Sequence, residues 1–399
     1  MRTSPALAPL ALASSPVLAH EAGSADGPRL FFGFGLQAVQ AQHPWPASRL
    51  PGVLEAGSPR EDARTEDWSY LETGLAMPLP GGHSGQIKFS KHGESSDPEL
   101  ESAWVRGTSE LSAHLLDYSL GRQLLPLGLE NLVHDHQRDF AIAPIALRGV
   151  LNDSWRADGV RADLELGAGF DAGLGFWLND GFPGAPSDKP QVGSLRLGWQ
   201  GGDWQLEADY VHADVTNRGL VTTGTSGHTH SLPSCDVVDA NRVCFSGTAK
   251  VAALAARWTP ADQPWWLAAE GFIKRDQGNL DSLYGSPDYS GDFKGGWVDF
   301  GWIIRPNLEA RLRLERAVAS HDVAGVNATL IANQAGIGNS DRALNSLGAA
   351  LSWRPAPGHF VGLEWHREAI QPQANQVWLL RYQYNFSFKI GRASCRERV

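Results

Sequence analysis

The segment from Trp378 to Phe388 constrains the fold of this chain more than any other stretch. Large apolar or aromatic residues occupy every second position, and mostly polar residues lie between them; the apolar set is Trp378, Leu380, Tyr382, Tyr384, Phe386 and Phe388. Side chains alternate across a β-strand, so this segment predicts a strand with one apolar and one largely polar face. A face of this size needs cover, either from a second sheet in a soluble sandwich or from a lipid bilayer.

Composition alone does not decide between these two environments. The chain has 399 residues, of which 42% are hydrophobic and 20% charged, a balance compatible with two or three soluble domains or with one large barrel. No stretch after the N-terminus has about 18 unbroken apolar residues, so no transmembrane helix is predicted. Barrel strands escape that test because their apolar residues alternate with polar ones. The net charge of −10 argues against a nucleic-acid partner.

Both ends of the sequence differ from the rest of the chain. Residues 1–19 have the features of a signal peptide: Arg2, an apolar stretch from Ala6 to Leu12, and small residues before His20. A disordered Ala/Pro-rich terminus is the alternative. Residues 389–399 read like one translated frame of a common sequencing adapter, and we expect this tail to be non-native rather than a genuine basic extension. The expected barrel domain is therefore 20–388.

Period-two alternation continues through most of the chain and predicts about sixteen strands. Their expected ranges are 30–41, 66–78, 83–92, 97–107, 113–123, 156–166, 169–179, 191–200, 203–216, 245–259, 264–276, 292–304, 307–318, 343–355, 358–370 and 376–388. Short turns such as 201–202 and 305–306 alternate with mostly longer gaps such as 217–244, 277–291 and 319–342. This regular alternation of short and long connections predicts an all-β fold. The expected fold is a single antiparallel transmembrane β-barrel with short periplasmic turns and long extracellular loops.

Charged residues share one parity on these strands. On 307–318, Glu309, Arg311, Arg313 and Glu315 alternate with alanine and leucine. A Lys or Arg on the lipid face costs roughly 2–4 kcal/mol near the bilayer midplane, so the charged parity must face water. In a soluble sandwich that face is the outer surface; in a sixteen-stranded barrel it is an aqueous lumen. The predicted pore-lining residues on strands are Arg161, Asp163, Arg196, Glu207, Arg311, Arg313, Glu364 and Arg381.

One region resembles a known family. Gly121 to Asn131 has the pattern Gly-x4-Pro-x-Gly-x-Glu-Asn, which resembles the phosphate-selective porin superfamily. Its continuation, His134 to Phe140, is similar to a less-studied outer-membrane family with members named as zinc-regulated. The last strand resembles the closing strand of bacterial outer-membrane barrels. The resemblance implies a porin-like channel in the bacterial outer membrane. It does not carry over phosphate binding, because the lysine-rich binding loop of that superfamily is not visible.

The resemblance also bears on partners and on the gap 124–155. We expect contact with the lipid bilayer and lipopolysaccharide, assembly machinery acting on the C-terminal strand, a possible homotrimer, and small polar solutes or ions as cargo. Porins fold the loop at this place in the strand order into the barrel. A long, unusually apolar gap is typical of a functional loop. The predicted constriction residues are Glu130, Asp135, Arg138, Asp139 and Arg148. An external lid is the alternative.

The remaining candidate sites are weaker. His134 and His136 could bind zinc together with a nearby carboxylate, or simply form hydrogen bonds in a loop. Cys235 and Cys244 lie in one long gap of an exported chain, which favours a disulfide over a zinc site with His228 and His230.

No cofactor is predicted, and no enzymatic activity. An outer-membrane hydrolase using Asp135, His136 and Asp139 remains an alternative, although no nucleophile motif such as Gly-x-Ser-x-Gly is present. The sequence is also compatible with a metal-related uptake protein and with a soluble β-sandwich binding module.

Overall fold

The computed structural model describes residues 27–45, 50, 52–54, 64–92, 98–152, 154–178, 182, 184–185, 191–220, 242–338, 343–370 and 374–390. In these ranges, sixteen strands form one closed barrel in which each strand pairs antiparallel with its sequence neighbours and β1 pairs with β16. This confirms the predicted fold class. The predicted signal peptide and residues 391–399 lie outside the described residues.

The strands are numbered in chain order. Their bounds are β1 Arg29–Ala41, β2 Arg64–Pro78, β3 Ser84–Lys91, β4 Glu99–Leu111, β5 His114–Leu124, β6 Arg156–Gly167, β7 Phe170–Leu178, β8 Val192–Gly201, β9 Trp204–Leu220, β10 Val243–Trp258, β11 Trp265–Asp281, β12 Asp288–Arg305, β13 Leu308–Ala324, β14 Ala343–Trp353, β15 His359–Ala369 and β16 Asn375–Lys389.

The closing seam shows why the alternating sequence forms a barrel wall. On β16, Trp378 is 53% exposed on the outside, whereas its neighbour Leu379 is 1% exposed on the inside. The outward aromatic residues of β16 pack against those of β1: Phe32 stacks on Phe386 with ring centroids 5.4 Å apart. Pairing of β1 with β16 leaves no free strand edge, which removes the main route to edge-to-edge aggregation.

The outer surface consists of an apolar band with an aromatic girdle at one end. Trp258 stacks on Trp204 with centroids 5.6 Å apart and meets Trp265 edge-on at 5.0 Å. These residues lie beside the short turns, and exposed leucines such as Leu254 and Leu314 lie farther along the strands. Outer-membrane strands have this arrangement, because tryptophan favours the bilayer interface and leucine the hydrocarbon.

Short and long connections alternate as predicted, with one exception. The predicted gap 277–291 is only the connection 282–287, because β11 runs to Asp281 and β12 begins at Asp288, with Asn279 opposite Asp288. The extended strand ends carry polar residues on the outer face, such as Gln277 and Ser290. Alternation of apolar and polar residues is lost where the outer face becomes polar, so the sequence pattern placed the strand ends too early.

Two short α-helices lie in the loops: α1, Ile145–Leu151, after β5, and α2, Ala328–Gln334, after β13. Neither helix in the described ranges has the length and apolar character needed to cross a membrane.

A hydrophobic core lies in the loop-side half of the barrel interior. Its wall residues come from the inner faces of neighbouring strands and include Val211, Phe245, Phe272, Phe293 and Leu344. Residues of the connection between β5 and β6 pack against this wall, among them Leu125, Leu127, Ile145, Leu147, Val150 and Trp155. The connection is therefore packed against this part of the wall.

Candidate functional site

The connection 125–155, named the inner loop, lies inside the barrel and is described except for residue 153. Its first half is held by carboxylates of the wall. The backbone N–H of Gly128 donates to Asp209 on β9 at 2.8 Å, and those of Leu129 and Glu130 donate to Glu270 on β11 at 3.1 and 3.0 Å. These three hydrogen bonds give consecutive loop N–H groups partners on the wall and so fix the path of the loop across the lumen.

The second half of the inner loop uses the same device on other strands. The N–H of Ala141 donates to both oxygens of Glu364 on β15 at 3.1 and 3.0 Å. The N–H of Ile145, the first residue of α1, donates to Glu315 on β13 at 2.5 Å. Four wall carboxylates, on β9, β11, β13 and β15, thus bind loop amides, which places the loop inside the lumen rather than above it.

Wall donors bind the loop carbonyls between these anchors. The Arg381 guanidinium on β16 donates to the carbonyls of Arg138 at 3.1 Å and of Asp139 at 2.6 Å. The amide of Gln383 donates to the carbonyl of His136 at 2.5 Å. Wall carboxylates thus accept hydrogen bonds from loop N–H groups, and wall Arg and Gln side chains donate to loop carbonyls. The buried backbone of the loop therefore has hydrogen-bond partners although it forms little regular secondary structure.

Asp139 is the charged centre of the loop. Its carboxylate pairs with Arg311 at 2.5 Å and with Arg354 at 3.1 Å. Burial alone would raise the pKa of Asp139, but the guanidinium groups of Arg311, Arg354 and Arg381 hold it below its usual value. Asp139 is therefore ionised and paired with the wall. Glu130 pairs with Arg313 on the same strand as Arg311, at 3.2 Å.

The motif that carries the family resemblance has a local structural role at the entry of the loop. Gly128 has a φ of +69°, and a Cβ there would lie 2.3 Å from a carboxylate oxygen of Glu270, so a side chain would displace that anchor. The Asn131 side chain donates to the carbonyls of Leu125 and Trp155 and accepts from the N–H of Trp155. It ties the two ends of the inner loop together.

The helix α1 docks the end of the loop on the apolar wall. A Cβ at Gly149 would lie 2.4 Å from the Phe293 ring, so the absence of a side chain lets α1 approach β12 closely. Asn152 ends the helix in the left-handed conformation, with a φ of 57°. Arg148 lies half-buried on α1.

His134 and His136 lie in a buried polar cluster. His136 contacts Glu72 on β2 at 2.8 Å, His134 contacts Glu101 on β4, and the two Nδ1 atoms are 2.9 Å apart. His92 lies 3.0 Å from the other oxygen of Glu101. Burial lowers the pKa of His134 well below its usual value and also lowers that of His136, although the neighbouring carboxylates oppose this effect.

The cluster does not favour zinc. Arg156 lies 3.1 Å from Glu101 and 3.0 Å from His134, and Lys88 lies 3.6 and 3.8 Å from Glu72 and Glu101. Two cations thus already neutralise the carboxylates. Across the described residues, no group of three or more His, Cys, Asp or Glu side chains has an arrangement suited to a metal ion. Zinc binding by His134 and His136 remains an untested hypothesis.

A polar cavity of about 940 Å³ remains beside the inner loop, toward the short turns of the barrel. It lies along β3 to β8, opposite the docked helix. Its charged lining residues are Arg106, Asp117, Arg161, Asp163, Glu165, Asp171 and Arg196. Arg161 pairs with Asp163 at 2.6 Å, and Arg196 pairs with Glu207 at 2.9 Å and with Asp171.

The predicted site residues therefore fall into two groups. Arg161, Asp163 and Arg196 line the polar cavity. A second group is buried, in contact with the loop or other charged wall residues: Glu207, Arg313, Glu364 and Arg381, with Arg311 half-buried beside Asp139. Arg138 is buried on the loop. The side chain of Asp135 lies outside what is described, and so does Cys235. Cys244 is disulfide-bonded. Its pairing with Cys235 stays a prediction, because Cys235 is not among the described residues.

Several residues of the site were missed from sequence. Asp171, Arg106 and Asp117 line the cavity, and Glu72 and His92 contact the histidine cluster. Asp171 shares the inward parity of its strand, so that signal was available. His92 directly follows the last residue of β3, and nothing in the sequence pattern linked it to the inner loop.

No protein-family model matches the sequence, and neither does any curated protein. Solved structures with a similar fold include a loop-deletion variant of OmpT, an outer-membrane protein of Vibrio cholerae, with a TM-score of 0.55, 14% identity, and coverage of 90% of this chain and 100% of that one. OmpF of Salmonella typhi in complex with daunomycin gives 0.54, 12%, 90% and 97%. OprB of Pseudomonas putida gives 0.53, 10%, 91% and 94%. The chain has the fold of outer-membrane porin barrels.

Proposed function

We propose that this chain is a diffusion channel of the Gram-negative outer membrane. Small polar or charged solutes pass between the inner loop and the wall formed by β3 to β8. The observation that carries this proposal is the polar cavity beside a loop anchored by four wall carboxylates. A loop held in this way narrows the lumen without closing the side on which the cavity lies.

The charges along this path set its selectivity. Three arginines and four carboxylates line the cavity, and several of them pair with each other. The lining therefore carries a slight excess of negative charge. The low-dielectric wall strengthens the electric field of this excess charge. The channel is therefore weakly selective for cations.

Planar bilayers test this function directly. The purified protein should give stepwise conductance, with a reversal potential in a KCl gradient that indicates a small cation preference. The double variant Arg161→Gln/Arg196→Gln should increase that preference, because it removes two positive charges from the lining. Arg367→Gln removes a charge from the outer face of β15 and serves as the matched control. Absence of conductance from a folded, heat-modifiable barrel would overturn the proposal.

The hydrolase alternative finds little support in the histidine cluster. The Ser90 hydroxyl, the nearest candidate nucleophile, donates to Glu101 at 2.6 Å and is itself buried. Because Ser90 is buried, its oxygen is not accessible to a substrate. Turnover of a peptide or phospholipid by purified protein would reverse this ranking.

The proposed partners follow from the location. The C-terminal strand would engage the barrel-assembly machinery, the outer surface would contact lipid and lipopolysaccharide, and three copies could associate as a homotrimer. Cross-linking in intact membranes would detect the trimer.

A further inference from the structure

Four basic side chains lie next to one another on the outer face of β10 to β13. These residues, named the basic band, are Lys250, Arg275, Lys294 and Arg316, and all four are exposed. Each shares the parity of exposed apolar residues on its strand, such as Leu254 on β10 and Leu314 on β13. The basic band therefore belongs to the surface that faces the membrane, not to the lumen.

The strand register places the four cations within reach of one ligand. Lys250 lies opposite Arg275, which in turn lies opposite Asp292, two positions before Lys294. Lys294 lies opposite Val318, two positions after Arg316. Directly opposite side chains have Cβ atoms about 5 Å apart and diagonal ones about 7–8 Å. The four charges thus form one continuous row.

The basic band lies at the level of the outer-leaflet headgroups. Trp258 of the aromatic girdle follows Lys250 by eight positions on β10, and Trp302 follows Lys294 by eight on β12. At about 3.3 Å per residue and a tilt near 40°, the separation across the membrane is about 20 Å, close to the height of the apolar band of an outer-membrane barrel. Since the girdle lies beside the short turns, the basic band marks the opposite interface.

Little in the protein balances these charges. Arg275 pairs with Asp292 at 2.8 Å. In the described part of the chain, no acidic side chain forms an ion pair with Lys250, Lys294 or Arg316. Like charges at neighbouring cross-strand positions destabilise a sheet. An anionic partner at the same level removes this cost, and phosphate suits it because guanidinium groups bind phosphate oxygens in pairs.

An apolar groove of about 910 Å³ on the outer face is lined by residues of β6 to β13, among them Arg316. Its floor includes Gly271 and Gly296, which lie opposite each other on β11 and β12, with Arg316 opposite Gly296. A Cβ added at Gly271 would meet no atom within 4 Å, so the groove is open there. Leu254 and Val298 line it on neighbouring strands. An acyl chain fits such a groove.

We propose that the basic band and this groove form a binding site for a phosphorylated lipid of the outer leaflet. The headgroup phosphates lie on Lys250, Lys294 and Arg316, and one acyl chain lies in the groove over Gly271. A second copy of this chain is the alternative occupant, and the experiment distinguishes the two. The inference requires the outer-membrane location but not channel activity.

Native mass spectrometry in detergent tests the site with a diphosphorylated glycolipid of the lipid A type and its dephosphorylated form. The triple variant Lys250→Gln/Lys294→Gln/Arg316→Gln should lose binding of the phosphorylated lipid by roughly tenfold or more. Gly271→Leu, which fills the groove, should weaken it as well. The control Arg64→Gln/Lys91→Gln removes outer-face charges elsewhere and should bind like the parent protein, and the dephosphorylated lipid should bind weakly to all.

Two outcomes would overturn the proposal. One is equal binding of the phosphorylated lipid by the triple variant and the control, when both variants still form folded barrels. Folding is checked by a change in gel mobility on boiling. The other is a loss of trimers in the triple variant without any change in lipid binding, which would identify the surface as a subunit interface.

Discussion

Charged side chains inside this barrel bind the inner loop and hold it in place. Glu364 shows this most clearly: it is fully buried, accepts the N–H of Ala141 with both oxygens, and also contacts Arg381 and His366. Strand parity predicted that Glu364 points inward. It did not predict the partner, because parity gives the face of a strand and says nothing about what lies opposite in the lumen.

Removal of this anchor should loosen the inner loop. Glu364→Ala leaves the Arg381 guanidinium buried without its carboxylate, and breaking a buried pair from one side costs roughly 3–5 kcal/mol. We expect higher and noisier single-channel conductance and faster proteolytic cleavage of the loop. Asp262→Ala is the matched control, since Asp262 is exposed in the short turn between β10 and β11, away from the cavity lining. Identical traces for both variants would show that Glu364 does not hold the loop in place.

Strands and loops differed in how well the sequence predicted them. The alternation of apolar and polar residues located all sixteen strands, because residues that face lipid must be apolar and the residues between them, which face the lumen, can be polar. Alternation was uninformative where that contrast is absent: at the polar ends of β11 and β12, and on the inner face of β10 to β12, where Phe245, Phe272 and Phe293 pack against the loop. A buried apolar residue facing inward looks the same in sequence as one facing lipid.

The inner loop itself was predicted from its length, from its apolar composition and from the resemblance to porins. Its large apolar residues are all buried, as expected for side chains that avoid water: Phe140, Ile145, Leu147, Val150 and Leu151. The polar cluster around His134 was less predictable, because its members come from β2, from β4 and from the end of β3 as well as from the loop. Contacts between distant segments depend on the register of the whole barrel.

The loop should respond to acid through this cluster. His134 and His136 have a lowered pKa in the folded protein, so a detached loop binds protons more readily than a docked one. Their contribution to docking is present above the ordinary histidine pKa, about 6.5, and is lost as the pH falls below it. Lys88 and Arg156 reinforce the effect by repelling a protonated imidazole, while Glu72 and Glu101 oppose it.

Conductance measured between pH 7.5 and pH 5 should therefore rise as the loop loosens. The variant His134→Gln/His136→Gln should remove this pH dependence, whereas His359→Gln, on the turn side of β15, should retain it. A parent channel that shows no change over this range would contradict the assignment of neutral buried imidazoles.

At the scale of the whole molecule, barrel and inner loop are separable. Each strand pairs with its two neighbours without help from the loop, and the apolar ends of the loop, Leu125 to Leu127 and α1, hold the loop-side core. The middle stretch from Val133 to Ala143 instead crosses polar space on charged contacts. Its deletion should leave the barrel closed and widen the path, so single-channel conductance should rise severalfold. Unchanged conductance from a deletion variant that still forms a folded barrel, as judged by a different gel mobility before and after boiling, would show that this stretch does not narrow the channel.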